Sequence, residues 1–225
     1  MIGVIRVVTL NDQRLLEEHG DIIAAKYGLD VTSFCIPNQP YGIYNDETER
    51  EAVPKIIDLA ERLEKDGVEA VVVSCAADPA VAELRGRLSI PVIGAGSSAA
   101  LVARGVGLPA GVLGITGEAP RVVKDTLGDL FVGYAKPQDV TNTKDLLNPR
   151  GQQQAVQASR LLLEQGAKAI VFACTGYSTI GLANVLRREL DCVVVDGVEA
   201  EGLFTWYAVH TEQSALDGFT IFQGD

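Results

Sequence analysis

Two cysteines end matching apolar segments in the two halves of this chain, and this duplication constrains the fold more than any other feature. Cys75 ends the run VVVSC (residues 71–75), and Cys174 ends the run AIVFAC (residues 169–174). Small and polar residues, a helical pattern and a second short apolar run follow each cysteine. The two halves therefore repeat one order of elements, which indicates an internally duplicated fold.

Strand-like and helix-like patterns alternate along almost the whole chain. Alternation at this spacing is typical of βαβ units and parallel sheets. Most of the strand-like runs are continuously apolar, as expected when helices cover both faces of a sheet. We predict strands at residues 3–10, 29–36, 69–75, 90–94, 110–116, 130–134, 168–174 and 192–196. We predict helices at residues 12–27, 46–66, 79–87, 97–107, 118–127, 149–165, 178–189 and 198–210.

The predicted fold class is α/β, with two pseudo-symmetric lobes that are each a four-stranded parallel sheet flanked by helices. Eight β/α pairs also satisfy the count of a (β/α)8 barrel, but barrels typically need about 250 residues. The matched cysteine strands and the 225-residue length favour two lobes. We expect residues 1–96 plus about 205–225 to form the first lobe, and residues 97–204 to form the second.

The charge of the chain limits its partners. Thirty acidic residues against 19 basic ones give a net charge of −11. Nucleic acids and anionic membranes require basic surface, so neither is expected as a partner. No apolar run approaches the ~20 residues of a membrane span. The four cysteines show no C-x-x-C spacing, and we expect a cytoplasmic protein with free thiols.

The paired cysteines are the main candidates for chemistry. Open α/β folds bind ligands at the carboxyl ends of their strands, so two facing halves would put one thiol on each side of a cleft. Opposed thiols suit a reaction that removes a proton from one face of a carbon and returns one to the other. Each cysteine precedes a predicted helix, whose dipole would lower the thiol pKa. Strand-end cysteines are usually packing residues, and we assign that role to Cys35 and Cys192.

Other motifs carry less information. The turn with Gly94, Gly96 and Ser97 ahead of a helix either binds an anion or simply caps that helix. The chain has no P-loop and no dinucleotide fingerprint. His19 and His210 have no metal-ligand partner at a usual spacing, so we expect neither a metal nor a cofactor.

With these motifs, the chain resembles the aspartate/glutamate/hydantoin racemase superfamily over nearly its whole length. The resemblance rests on SCAADP (residues 74–79), PVIGAGSSAA (91–100), the strand end Gly114–Thr116 and CTG (174–176). Asp78-Pro79 is similar to the pattern of hydantoin racemases. The resemblance implies an active site between the lobes, no cofactor, and Cys75 and Cys174 as the catalytic acid and base on opposite faces of a small-molecule substrate.

The flanking residues depart from those of amino-acid racemases. Glutamate racemases follow the first cysteine with Asn-Thr and the second with Thr-His, whereas this chain has Ala76-Ala77 and Thr175-Gly176. The loss of polar groups favours a neutral ring such as a hydantoin. Pro40-Tyr41-Gly42, in contrast, is similar to a turn of glutamate racemases. The substrate-binding residues that we expect are Thr9, Asn11, Ala76, Ala77, Ser97, Thr116, Thr175 and Gly176.

The leading hypothesis is a cofactor-independent racemase of 5-substituted hydantoins, which we expect to be a homo-oligomer. An aspartate or glutamate racemase and a maleate-type cis–trans isomerase are the alternatives within the superfamily. A small-molecule sensor without catalysis is the alternative from another class. The presence of both cysteines disfavours a decarboxylase, which needs only one.

Overall fold

The computed structural model describes residues 1–216, with side chains through residue 211, and has two parallel sheets. The first sheet has the strand order β2-β1-β3-β4 and the second has the order β6-β5-β7-β8. Numbered within their own lobes, both orders are 2-1-3-4, which confirms the duplication and excludes the barrel. The strands are β1 Ile2–Arg6, β2 Val31–Cys35, β3 Ala70–Ser74, β4 Val92–Gly94, β5 Ala110–Leu113, β6 Phe131–Ala135, β7 Ala169–Phe172 and β8 Val193–Val195.

Helices connect the strands and cover the sheets, and all eight predicted helical segments are present. Side-chain caps explain several helix starts: Asp12 accepts from two amides of α1, and Asn45 forms a capping box with Thr48 at α2. The helices are α1 Gln13–Tyr27, α2 Asp46–Lys65, α3 Val81–Arg87, α4 Ala95–Val106, α5 Arg121–Leu127, α6 Pro149–Glu164, α7 Gly176–Thr179, α8 Leu182–Glu189 and α9 Gly197–Leu216. Between residues 1 and 216 no helix is long and apolar enough to cross a bilayer.

The segment that we predicted as one helix over residues 178–189 is two helices. Gly181 has φ +64°, in the left-handed region, and it separates α7 from α8. The break gives the chain after Cys174 a short helical turn of its own. The site loop and the longer surface helix are therefore separate elements.

Two helices cross from one sheet to the other. Helix α4 follows β4 of the first sheet, but its Ala99, Ala100 and Ala103 pack in a core with Val112 and Val171 of the second. Helix α9 follows β8 of the second sheet, and its Val198 packs with the first-sheet strands β1 and β3. This exchange holds the lobes together through apolar contacts. The division at residues 96 and 205 stays a prediction, and residues 217–225 lie outside the described part of the chain.

Candidate functional site

A cavity of about 460 Å³ lies between the two sheets. In a parallel sheet of order 2-1-3-4 the strand order reverses between the first and third strands, and ligands bind at the carboxyl ends of those two strands. Residues 6–8 and 74–77 line the cavity after β1 and β3, and residues 115–122 and 173–176 line it after β5 and β7. Both reversal points therefore open into one cavity, whose volume suits a small molecule.

Cys75 follows β3 directly and is held in a tight turn. Its amide bonds to the Val73 carbonyl at 2.8 Å, and its carbonyl accepts from the Asp78 amide at 3.0 Å. The thiol lines the cavity although the residue is buried. Burial raises the pKa of the Cys75 thiol, and the nearby Cys174 and Glu49 raise it further, while a hydrogen bond with the Ala77 backbone lowers it.

Cys174 lies one residue beyond the end of β7 and also lines the cavity. Burial raises the pKa of its thiol to about 11, although hydrogen bonds with the Gly176 backbone and the Thr143 side chain lower it. A Cβ atom at Gly176 would lie 2.6 Å from Thr143 Cγ2. Glycine at this position therefore lets Thr143 approach the sulfur.

The expected lowering of both thiol pKa values by helix dipoles is wrong. Helix α3 begins only at Val81, six residues after Cys75, and α7 has just four residues. Burial outweighs the amide hydrogen bonds at both sulfurs. The charge of either thiolate also opposes ionisation of the other, so a state with one thiolate and one thiol is favoured over two thiolates.

Five of the eight expected substrate-binding residues line the cavity: Ala76, Ala77, Thr116, Thr175 and Gly176. The hydroxyls of the two threonines bond to the protein itself. Thr116 Oγ1 donates to the Glu118 carbonyl at 2.7 Å, and Thr175 Oγ1 donates to the Ser74 carbonyl at 3.2 Å. The second of these bonds joins the two cysteine turns across the lobe interface.

Thr9, Asn11 and Ser97 do not line the cavity. Thr9 Oγ1 donates to the Ile36 carbonyl at 2.8 Å and accepts from the Gln39 amide at 2.7 Å, so it holds the chain after β2 in place. Asn11 is exposed at the start of α1. The structure thus gives Thr9 a structural role and leaves Asn11 outside the cavity.

Ser97 belongs to the amino end of α4, where the protein's own carboxylate takes the place of an anionic ligand. The Asp78 carboxylate accepts from the Gly96 amide at 2.6 Å and from the Ser97 amide at 2.9 Å. Asp78 has φ +53°, and its carboxylate packs against Gly94, where a side chain would clash. Ser97 is therefore not the N-cap of α4: that position is Gly94, and Asp78 supplies the side-chain acceptor for the free amides.

The wall of the cavity contains acidic residues that sequence reasoning did not identify. Asp46, Glu49 and Glu118 line it, and Arg6 and Arg121 are its basic residues. Burial and the neighbouring Asp46 raise the pKa of Glu49. The first turn of α2 thus has one face toward the site.

A chain of buried polar groups lies behind the cysteine turns. His19 Nδ1 is 2.7 Å from Ser74 Oγ, His19 Nε2 is 2.9 Å from Thr179 Oγ1, and Ser74 Oγ is 2.6 Å from Glu201 Oε1. Desolvation lowers the pKa of His19 and raises that of Glu201. Within residues 1–216 no group of three or more metal-ligating side chains is present.

Comparisons with known proteins concern the family and the fold of the chain. The sequence profile described as "Asp/Glu/Hydantoin racemase" matches residues 19–201. A hydantoin racemase of Pseudomonas sp. (strain NS671) is 26% identical over 195 residues, 81% of this chain and 75% of that protein. One from Rhizobium meliloti is 28% identical over 169 residues, 72% and 68% of the two chains. The fold is similar to that of an allantoin racemase from Pseudomonas fluorescens, with a TM-score of 0.80, 19% identity, and 94% and 91% of the chains covered.

Proposed function

The chain belongs to the Asp/Glu/Hydantoin racemase family and is an isomerase, and on that premise we propose that it racemises 5-substituted hydantoins with Cys75 and Cys174 as its two bases. One observation carries the proposal: the two strand-end thiols line a single cavity from opposite lobes. Thr175 Oγ1 and the Ser74 carbonyl join the two turns, so the turns are held in a fixed relation.

The proposed reaction transfers one proton on each face of the substrate. The thiolate on one side removes the proton from the carbon next to the ring carbonyl, and the thiol on the other side delivers its proton to the opposite face. The two cysteines exchange roles when the other enantiomer is the substrate. Because the thiols supply both proton transfers, the scheme needs no cofactor.

The raised thiol pKa values suit this chemistry. A carbon acid next to a carbonyl is weak, and a buried thiolate with a raised pKa is a stronger base than an exposed one. Repulsion between two thiolates keeps the partner protonated, which supplies the required acid. The acidic Asp78 and Glu49 near Cys75 oppose its ionisation, and we therefore expect Cys174 to be the thiol that ionises first.

The walls of the cavity support a neutral ring over a dicarboxylate. Ala76 and Ala77 offer no side-chain donor to a substrate carboxylate, and Glu49 presents a like charge on the side of Cys75. A hydantoin ring is neutral and has carbonyl and N–H groups that backbone groups can bind. Allantoin, which is itself a 5-substituted hydantoin, belongs to the same substrate class.

A racemisation screen followed by polarimetric or circular-dichroism decay tests the proposal. The set contains single enantiomers of 5-alkyl, 5-aryl and 5-ureido hydantoins beside aspartate and glutamate, with Cys75→Ala as the blank. Decay with hydantoins and none with amino acids is expected. Racemisation of aspartate or glutamate alone, or binding without turnover, would each replace the proposed activity.

The acidic residue Glu49 in the wall of the cavity allows a second experiment with the same compounds. Glu49→Gln removes the like charge at nearly constant volume, and Glu47→Gln on the exposed face of α2 is the matched control. We expect Glu49→Gln to improve kcat/KM for hydantoins with an anionic 5-substituent relative to neutral ones, while the control leaves that ratio unchanged. An unchanged ratio in Glu49→Gln would remove Glu49 from the account of specificity.

A further inference from the structure

The buried polar chain behind the site connects elements from both lobes. His19 lies on α1 and Ser74 ends β3, so both belong with the first sheet, while Thr179 lies on α7 after the second cysteine. Glu201 lies on α9, which crosses back from the second sheet to the first. His19, Ser74 and Glu201 are each almost fully inaccessible to solvent. Burial of three polar side chains at one interface is costly unless their hydrogen bonds are made.

The same buried polar side chains contact both cysteine turns. Ser74 precedes Cys75 directly, and its side chain is held between His19 and Glu201. The His19 ring also lies close to the backbone of Thr175, the residue after Cys174, and this backbone raises the pKa of the ring against the effect of burial. Thr175 Oγ1 in turn donates to the Ser74 carbonyl. The His19 ring therefore lies against Ser74, which precedes Cys75, and against Thr175, which follows Cys174.

Glu201 completes this arrangement on the other side of Ser74. Its Oε2 is buried with no hydrogen-bond partner, and burial raises the pKa of the carboxyl group. Ser74 Oγ donates to Glu201 Oε1 at 2.6 Å, and this hydrogen bond and the nearby Arg6 guanidinium lower the pKa of Glu201 against the effect of burial. Ser74 Oγ then accepts from the Nδ1–H of the neutral His19 ring, and His19 Nε2 accepts from the Thr179 hydroxyl. Each hydroxyl and imidazole proton of these buried groups has an acceptor in this arrangement.

We propose that His19, Ser74 and Glu201 form a positioning unit that fixes the spacing of the Cys75 and Cys174 thiols across the lobe interface. The inference rests on the proposed two-thiol racemisation, because only that reaction needs the thiols in register on opposite faces of one carbon. A misplacement of about 1 Å at a reacting group can cost about 10²-fold in rate. None of the three side chains need touch the substrate for this role.

The first test measures thiol spacing without any substrate. In a Cys35→Ser/Cys192→Ser background, dibromobimane cross-links two thiols only when both ends of one reagent molecule react. We expect efficient cross-linking of Cys75 to Cys174 in this parent, and at least about a tenfold lower yield in His19→Leu. Monobromobimane labelling of each thiol controls for access to the cavity, and His210→Leu, at an exposed histidine, is the matched control.

The second test separates positioning from packing. If the two thiols are misaligned, delivery of a proton to the opposite face of the substrate should be impaired more than removal of the α-proton. His19→Leu should therefore raise the ratio of α-deuterium exchange to racemisation. Glu201→Gln keeps the size of the side chain and an oxygen that accepts from Ser74, so it should keep both rates, and Glu201→Leu should behave like His19→Leu. If His19→Leu does not fold, Ser74→Ala takes its place, since it removes only one hydroxyl.

The outcomes distinguish this inference from the function on which it rests. A parent protein that cross-links but racemises none of the compounds overturns the proposed function. A parent that racemises hydantoins, together with a folded His19→Leu that keeps the parental cross-linking yield and exchange-to-racemisation ratio, overturns the positioning unit alone. A changed ratio in His19→Leu with parental values in His210→Leu supports it.

Discussion

At the scale of single residues, the structure gives the two thiols different environments. Cys174 has a side-chain hydrogen bond with Thr143, whereas Cys75 has the charged Asp78 and Glu49 nearby. Both effects make Cys174 easier to ionise than Cys75. The sequence indicated the pair but not this difference, because Thr143 and Glu49 are distant from both cysteines along the chain.

The first prediction concerns thiol reactivity. Since burial raises the pKa of Cys174 to about 11, the thiol is protonated at neutral pH and its thiolate fraction grows about tenfold per pH unit below that value. Iodoacetamide should therefore alkylate Cys174 before Cys75, at a rate that rises steadily from pH 7 to pH 10. Peptide mapping by mass spectrometry measures both rates. A plateau near neutral pH, or faster reaction of Cys75, would contradict the assignment.

Thr143→Val gives a second prediction at this scale. The change keeps the shape of the side chain but removes the hydroxyl that hydrogen-bonds to Cys174, so the thiol pKa should rise and its alkylation should slow several-fold. The rate at Cys75 should stay the same. Thr32→Val on the exposed end of β2 is the matched control. Equal rates at Cys174 in both variants would show that the hydroxyl does not act on the thiol.

At the scale of elements, the predicted strands and helices agree closely with the structure, because continuous apolar runs and helix caps are local signals. The exception is the break at Gly181, since an isolated glycine in a helical pattern predicts a break less reliably than a proline does. Thr9 and Ser97 were predicted to reach the substrate because they lie near strand ends. The chain instead uses one to hold the segment after β2 and the other to bind Asp78.

Asp78 gives the prediction that belongs to this scale. Its carboxylate caps α4 and its amide closes the Cys75 turn, so Asp78→Ala should cost about 0.5–2 kcal/mol of stability and also lower kcat. Asp12→Ala removes the cap of α1, away from both cysteine turns, and should cost similar stability without loss of kcat. Thermal unfolding and initial rates measure the two effects. If both variants lose kcat to the same extent, the loss of kcat in Asp78→Ala would be explained by lower stability alone.

At the scale of the whole molecule, the duplicated topology places two equivalent strand ends on opposite sides of one cavity. Helices α4 and α9 hold this arrangement by packing on the sheet of the other half. The duplication was visible in the sequence, but the helix exchange was not, because it depends on contacts between segments far apart in the chain. The expected homo-oligomer and cytoplasmic location stay predictions.

A cofactor-free mechanism is the prediction for the intact protein. Because the two thiols supply both proton transfers in the proposed mechanism, exhaustive dialysis against EDTA should leave the proposed hydantoin racemisation unchanged in rate, within the error of the assay. Untreated protein carried through the same dialysis without chelator is the control. A loss that added divalent metal restores would require a metal in the mechanism.

Deuterium uptake by single-cysteine variants tests the central claim most directly. Each enantiomer of a racemised hydantoin is incubated in heavy water with Cys75→Ala, Cys174→Ala, Cys35→Ala and Cys192→Ala. We expect Cys75→Ala and Cys174→Ala each to lose racemisation by about 10²–10⁴-fold or more, while each still exchanges the α-proton of one enantiomer, and of opposite ones. Cys35→Ala and Cys192→Ala should retain most of the activity. Racemisation near the wild-type rate in both Cys75→Ala and Cys174→Ala would contradict the two-thiol mechanism.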